Sequence, residues 1–388
     1  MDFGFTEEQQ KFKNDIRSFL TKNVPVEVQE EWWSAGGLGV GPHSREFLRL
    51  LGKKGLMGID WPTEYSGGGK TIIERFILLE ELGYCRGPWL GVGETIAGPM
   101  ILKLGSEQQK SSYIPKITRG EIEFTLGYTE PEAGSDLASL QIRAVEQDDH
   151  YIVNGQKMFN STAHYADYHW LGARTDPDVP KHKGISLFIV DLKSHGITIE
   201  PIRIMSGLRT NFVYYDDVRV PKENMVGQKN RGFYHILEAL DWERIYATGD
   251  MLRTLEELIQ YAKEETFDGK SLASNPLIWS RLAEVAVELE AARLLALRVI
   301  CLLGTGIAPP TEASMSKLFG DELRKRLSDI GMQVLGQYGQ LQKDSKWAKL
   351  RGHIETFYRA SPYLTLSAGT SEIQRNIIAQ RGLGMPRQ

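Results

Sequence analysis

The spacing of apolar residues changes twice along this chain of 388 residues, and that change limits the folds it can adopt. Near the start, Thr6 and Gln9 have the spacing of a capping box, and the apolar residues that follow recur every three or four positions. This pattern predicts helices from the N-terminus to about Arg119.

From Glu123 onward the apolar segments are short and rich in β-branched and aromatic residues, which is typical of strands. Such segments are 123–128, 151–158, 185–192, 197–204 and 213–220. We expect turn pairs such as Asn154-Gly155 to separate them. From Gly232 the helical spacing returns, with a turn region at 304–310.

The sequence therefore predicts an α+β fold that is mainly α. The expected domains are an N-terminal helical domain at 1–121, a central β-domain at 122–230 and a C-terminal helical bundle at 231–388.

Charge and composition exclude several classes of protein. The 46 basic and 50 acidic residues give a net charge of -4 without long blocks of one sign, which argues against nucleic-acid or anionic-lipid binding. The apolar runs fall far short of the ~18 residues that span a membrane. The first ten residues do not resemble a secretory signal, and Cys85 and Cys301 lack the spacing of a disulfide framework or a metal site. We expect a cytoplasmic protein without a metal.

A loop at 126–136, with the sequence LGYTEPEAGSD, follows the first predicted strand. Its hydroxyl groups and Gly134 could offer donors and close backbone approach to a polar ring or a phosphate. The same residues also suit an ordinary turn with Asp136 as its cap. The loop alone leaves both interpretations open.

The string YTEPEAGSD at 128–136 resembles the signature of the acyl-CoA dehydrogenase superfamily, flavoproteins that oxidise the Cα–Cβ bond of acyl-CoA thioesters. Further matching segments, in the same order, are 105–110, 154–157, 217–221, 290–294 and 369–374. The resemblance covers nearly the whole chain. It implies an N-terminal helical domain, a central β-barrel-like domain and a C-terminal four-helix bundle, in agreement with the order above.

The resemblance also implies an FAD cofactor. It assigns flavin contacts to Tyr128, Thr129, Ser135, Phe159, Ser161, Thr370 and Glu372. Phe159 stands where many relatives have a tryptophan over the flavin ring, although it also suits an ordinary core position. Ser161 replaces a threonine whose hydroxyl bonds flavin N5, and it can still stabilise negative charge there.

The position of the catalytic base differs from that of many relatives. The usual glutamate near the C-terminus is absent, because 367–370 reads SAGT with Ala368 in its place. Segment 240–245, LDWERI, resembles the helix that carries the base in isovaleryl-CoA and steroid side-chain dehydrogenases, and Glu243 matches that base. Helical spacing puts Glu243 on an otherwise apolar stripe, where burial would raise the pKa of its carboxyl. A solvated glutamate paired with a cation is the alternative.

The family counterparts of Asp241 and Arg244 bind CoA, and Ser135 is expected near the CoA chain as well. Asp241 and Arg244 are three residues apart on one helix and also suit a plain ion pair. The acyl group itself cannot be read from the sequence. The small residues at 367–368 leave room for a bulky, branched or steroid side-chain acyl group.

Two departures concern the half of the FAD site that family members give to a neighbouring subunit. Glu265 lies near the position at which the family usually has an arginine, and Gln337 replaces the second glycine of a family motif. The chain is therefore expected in a homotetramer, with Arg253 or Lys263 in the role of that arginine, or in a heterotetramer with a related subunit. An electron-transfer flavoprotein is the expected oxidant. A flavin monooxygenase or oxidase of the same fold, and a non-catalytic subunit that completes a partner's FAD site, are the alternatives.

Overall fold

Helices form the N-terminal part of the computed structural model, which describes residues 4–37, 39–243, 247–307 and 309–386, with the backbone alone at 241–243 and 267. They are α1 (Glu7–Asn23), α2 (Val26–Ser34), α3 (Pro42–Lys53), α4 (Ile72–Tyr84), α5 (Gly98–Leu104) and α6 (Glu107–Thr118). The predicted capping box is confirmed, because Thr6 and Gln9 each accept the other's backbone N–H with a side-chain oxygen.

The central part is a single mixed sheet. Its strands are β1 (Phe124–Gly127), β2 (Arg143–Glu146), β3 (His150–Lys157), β4 (Tyr168–Arg174), β5 (Ile185–Asp191), β6 (Ile197–Arg203), β7 (Arg209–Pro221) and β8 (Met225–Val226). The strand order is β6-β7-β3-β2-β4-β5-β8, and β1 lies parallel to β4. The predicted α+β fold with a central β-domain is confirmed.

The Asn154-Gly155 pair is not a turn, contrary to the sequence expectation. It lies inside β3 and forms a bulge where the register against β7 shifts. Gly155 has φ +135°, and a Cβ there would come 2.9 Å from Ile142 Cγ1. The glycine therefore serves the bulge and the close contact with its neighbour.

The C-terminal part is helical again. Its helices are α7 (Gly232–Glu243), α8 (Gly249–Glu264), α9 (Pro276–Gly304), α10 (Pro310–Leu335), α11 (His353–Leu364) and α12 (Ser371–Ile377), and a short hairpin, β9 (Thr266–Phe267) and β10 (Lys270–Ser271), follows α8. Leu258, Leu289 and Leu323 pack in one core between α8, α9 and α10. The predicted turn region at 304–310 joins α9 to α10.

Among the residues that the structure describes, none of the helices has both the length and the apolar character needed to cross a membrane. In the same residues, His, Cys, Asp and Glu side chains form no group of three or more that could hold a metal ion.

Candidate active site

The ends of β1 and β3 meet and bring together two of the segments that the sequence analysis singled out. The Met158 N–H donates to the Thr129 carbonyl over 2.9 Å. The Asn160 side-chain amide donates to the Leu126 carbonyl. These bonds join the predicted flavin contacts at 128–129 to those at 159–161.

Phe159 and Ser161 border this junction in different environments. Phe159 has φ +61°, in the left-handed region that residues other than glycine rarely adopt, and it is 50% exposed. Because half of its side chain is exposed, Phe159 does not occupy an ordinary core position, which was the alternative interpretation of the sequence. Ser161 is half-buried, and Tyr128 is buried. The junction thus presents an aromatic face next to a hydroxyl group.

A buried ion pair stabilises this junction of β1 and β3. The sequence did not predict it. Lys157 Nζ lies 2.8 Å from Glu130 Oε1 and 2.9 Å from the Tyr128 carbonyl oxygen. Glu130 also accepts the backbone N–H groups of Gln141 and Ile142. Burial lowers the pKa of Lys157, while Glu130 opposes that change. Alternate residues of a strand face the same side, so Lys157 shares the inward side of β3 with Tyr151 and Val153. This alternation in the sequence could have identified Lys157 as a buried residue.

The end of β1 also packs against a buried histidine. A Cβ at Gly127 would lie 2.5 Å from His169 Nε2, so this backbone can approach the ring only because it carries no side chain. His169 Nδ1 bonds the Tyr215 hydroxyl. Burial lowers the pKa of His169 to about 3, so the ring is neutral at neutral pH. Strands β1, β4 and β7 are thereby locked next to the junction.

The remaining predicted flavin contacts lie in two other places. Ser135 is exposed in the loop after β1, and a Cβ built at its neighbour Gly134 would meet no atom within 4 Å. Thr370 caps α12 by accepting the Ile373 N–H over 3.2 Å. Bonds from its own backbone N–H and from Thr370 lower the pKa of Glu372. These contacts stay within the first turn of α12.

The predicted base lies at the end of α7, and Glu243 is the last residue of that helix. Ile236, on the predicted apolar stripe, is fully buried against the sheet, and Leu240 on the same stripe is half-buried against that core. The side chains of Asp241 and Glu243, and all of Arg244, lie outside the described residues. Their roles therefore stay predictions.

A small cavity lies behind the junction, between the N-terminal helices and the sheet. Its volume is ≈ 50 Å³, and its walls include Thr162, Tyr165, Glu94 and Glu123. Burial raises the pKa of both carboxyl groups to about 7. Drug-sized ligands occupy pockets of about 300–1,000 Å³, so this cavity is too small for a large acyl group.

Contacts within the chain change what we expect of Glu265 and Arg253, which the sequence assigned to the half-site given to a neighbouring subunit. Lys349 Nζ lies 2.8 Å from Glu265 Oε2, so the negative charge of Glu265 has a cation beside it. Arg253 bonds Glu257 in its own helix over 3.0 Å and lies over the Tyr84 ring. Those contacts turn Arg253 toward the N-terminal helices. Gln337 is exposed in the turn after α10.

The fold and the matched segments agree with three family descriptions that cover most of the chain. The acyl-CoA dehydrogenase N-terminal domain matches residues 6–121, the middle domain 125–218 and the C-terminal domain 230–383. The chain belongs to the acyl-CoA dehydrogenase family of oxidoreductases.

Individual relatives match over their full length. The acyl-CoA dehydrogenase FadE26 of Mycobacterium tuberculosis is 35% identical over 402 residues, which cover 100% of this chain and 99% of that protein. A chain of the Tcur3481-Tcur3483 steroid ACAD superposes with a TM-score of 0.94 at 34% identity, with 100% of both chains covered. A chain of the ChsE4-ChsE5 complex from Mycobacterium tuberculosis superposes with a TM-score of 0.92 at 34% identity, again with 100% of both covered.

Proposed function

We propose that this acyl-CoA dehydrogenase uses FAD to convert an acyl-CoA thioester to its trans-2-enoyl-CoA, with Glu243 as the catalytic base. The observation that carries the proposal is the junction of β1 and β3. There a half-exposed aromatic ring, Phe159, lies close in sequence to the Ser161 hydroxyl, and the Met158–Thr129 hydrogen bond ties both to the segment 128–129. We also propose that the chain divides into its three domains after residues 121 and 230.

The residues of this junction fit a flavin. A planar ring system needs an apolar or aromatic face and polar donors at its edge, which Phe159 and Ser161 provide. Tyr128 and Thr129 would contact the same ring, and the open space at Gly134 lets the Ser135 backbone approach a diphosphate. Thr370 and Glu372 would add contacts from α12. When bound, FAD supplies a hydride acceptor.

In this proposal the residues of the chain bind, orient and deprotonate the substrate. The Glu243 carboxylate takes the proton from Cα, while Cβ loses a hydride and the Cα=Cβ bond forms. Arg244, Asp241 and Ser135 hold the CoA chain, since a planar guanidinium suits its amides and phosphates. The Ser161 hydroxyl stabilises negative charge that develops where the hydride arrives.

We propose a bulky acyl group, such as a branched or steroid side-chain thioester. Two observations support this: the small residues Ser367 and Ala368 where many relatives carry the base, and the likeness to the steroid ACAD described above. An electron-transfer flavoprotein is the proposed oxidant. We also propose that the chain assembles with a related subunit; its likeness to a chain of the ChsE4-ChsE5 complex supports this.

The test is anaerobic reduction of the purified flavoprotein. Candidate acyl-CoAs should bleach the flavin absorbance of the wild type, and Glu243→Gln should slow this bleaching by at least about 10²-fold while FAD stays bound. A smaller loss in the variant would overturn Glu243 as the base. A flavoprotein that no acyl-CoA reduces would overturn the proposed function itself.

A further inference from the structure

The start of helix α8 is held by a carboxyl group of the N-terminal helices. Glu80 in α4 accepts the backbone N–H of Thr248, and the Thr248 hydroxyl lies 3.3 Å from each oxygen of that carboxyl group. Thr248 is 3% exposed, and its side chain turns to Glu80 instead of bonding the first N–H groups of α8. Glu80 thus places a carboxyl group at a helix N-terminus, where its charged form is favoured.

Two further contacts fix the residues that follow Thr248. A Cβ at Gly249 would lie 1.9 Å from the carbonyl oxygen of Glu80, so the two backbones touch. Asp250 is buried and pairs with both terminal nitrogens of Arg324 in α10, one of them at 2.8 Å. The beginning of α8 is therefore fixed between α4 and α10.

Helix α7 is attached to different parts of the molecule. Ile236 is fully buried against the sheet, a Cβ at Gly232 would lie 2.8 Å from the Ile185 carbonyl oxygen, and Glu238 pairs with Lys103 of α5. Glu243 ends α7, and Thr248 lies five residues later. Since five residues can span at most about 18 Å, Thr248 lies within that distance of Glu243.

Burial of the Glu80 carboxyl group costs free energy, because its charged form loses its hydration. Burial raises the pKa of Glu80 to about 7; the bonds from Thr248 and the charge of Arg293 in α9 oppose the rise, and Asp250 adds to it. Glu81, the next residue, is a useful comparison, because it is 1% exposed and pairs with Arg17 of α1 on another side of α4. Of these two glutamates, Glu80 is the one that faces the start of α8.

We infer that Glu80 is a positioning residue for catalysis: it fixes Thr248, five residues after the proposed base Glu243, and so holds the point at which the chain enters α8. This inference rests on the proposed role of Glu243. Glu80 acts through the backbone, so its loss should affect the chemical step more than the binding of FAD or acyl-CoA. A misplacement of about 1 Å at a reacting group can cost about 10²-fold in rate.

The experiment compares Glu80→Met with Glu81→Met in the FAD-loaded protein. With an acyl-CoA that reduces the wild type, Glu80→Met should lower the limiting rate of flavin reduction at least about tenfold, with the half-saturating acyl-CoA concentration changed less than about twofold. Glu81→Met should lower the melting temperature yet keep the reduction rate within about twofold of the wild type. Glu80→Gln, which keeps one acceptor oxygen for the Thr248 N–H, should restore most of the rate.

Equal reduction rates per bound flavin in the two methionine variants and the wild type would overturn the inference, and so would equal losses in both. If Glu80→Met does not fold, Thr248→Val decides: it removes only the hydroxyl contacts and should still slow reduction, and an unchanged rate would count against the inference. Failure of the wild type to be reduced by any acyl-CoA would instead refute the proposed function, so the two failures are distinct.

Discussion

Lys157 and Glu130 form an ion pair in the interior, with Nζ 2.8 Å from Oε1 and side chains that are 0% and 6% exposed. Such a pair gains little net stability, because both ions lose their hydration. Its effect is geometric here: Lys157 also bonds the Tyr128 carbonyl, and Glu130 bonds two N–H groups before β2. The loop that carries the predicted flavin contacts is thereby attached to β3.

Replacing one partner of this pair should destabilise the protein strongly. Lys157→Met leaves the Glu130 carboxylate buried without its cation, and breaking a buried pair in this way costs about 3–5 kcal/mol. Urea unfolding of the variant measures the loss. The double variant Lys157→Met/Glu130→Met should recover only part of the loss: it leaves no unpaired charge, but the N–H groups of Gln141 and Ile142 lose their acceptor.

The exposed pair of Lys181 with Asp136 provides the control, since both side chains are more than half exposed. Lys181→Met should cost no more than about 1 kcal/mol. Equal losses in Lys157→Met and Lys181→Met would contradict the assignment of the inner pair as the structural anchor of the loop.

The hydroxyl at position 161 should matter for the rate of flavin reduction and not for flavin retention. Ser161→Ala removes one donor near the site of developing charge, and the loss of such a donor typically costs about 10²-fold or more. Stopped-flow reduction by acyl-CoA measures the effect. Ser161→Thr keeps the hydroxyl and should retain the rate, so a slow threonine variant would speak against this role.

The sequence predicted the parts of the fold whose determinants are local. The Thr6 capping box, the return of helical spacing at Gly232 and the turn before Pro310 all depend on residues close together in the chain, and each is confirmed. Strand β4 has no alternating pattern because it is buried nearly throughout, so its spacing does not identify it.

The candidate site was predictable only as separate segments. The contacts that join them connect distant residues: Met158 to Thr129, and Glu80 to Thr248. No spacing rule links residues so far apart. The Asn154-Gly155 prediction was wrong for a related reason, since the close contact of Gly155 with Ile142 joins residues that are not neighbours in the chain.

His353 should make the protein less stable on mild acidification. Its ring stacks on Trp33 at 3.7 Å, and burial lowers its pKa to about 2, with Arg86 and Arg351 adding to the effect. The unfolded chain therefore binds a proton below about pH 6.5 that the folded chain does not, and stability decreases as the pH falls through that range. At pH 5 this one group costs about 2 kcal/mol.

The measurement is the free energy of unfolding at pH 7 and pH 5 in matched variants. His353→Gln should show a loss between these pH values that is smaller than that of the wild type by about 2 kcal/mol. His195→Gln changes an exposed histidine and should leave the difference unchanged. Taking differences between variants removes the opposing contribution of Glu80, Glu94 and Glu123, whose raised pKa values favour the folded state as the pH falls. Identical pH dependence in all three proteins would contradict the buried neutral ring.

The turn that replaces the usual base position is strained. Ala368 has φ +52°, in the left-handed region, and Gln374 holds the carbonyls of Ala368 and Gly369 at 3.3 and 2.9 Å. Ala368→Gly should therefore stabilise the protein by about 0.5–1 kcal/mol despite the greater flexibility of the unfolded chain. Ala348→Gly, at φ -63°, should instead destabilise it by a similar amount. Thermal melting of both variants checks the opposite signs.

Assembly should be visible in the flavin content. In the proposed assembly, Glu265 and Gln337 occupy the positions of an arginine and a glycine that would contact a neighbour's FAD, and Lys349 pairs with Glu265. We expect the purified chain alone to hold less than one FAD per chain, and its complex with a related subunit to hold half as many flavins as chains. Native mass and the ratio of flavin to protein absorbance measure both quantities. Glu265→Arg should raise the flavin content of the chain alone, because it puts a cation at the position proposed to face the diphosphate, whereas Lys349→Met should lower it by leaving Glu265 without its cation. A homo-oligomer with one FAD per chain and full activity would rule out the requirement for a partner.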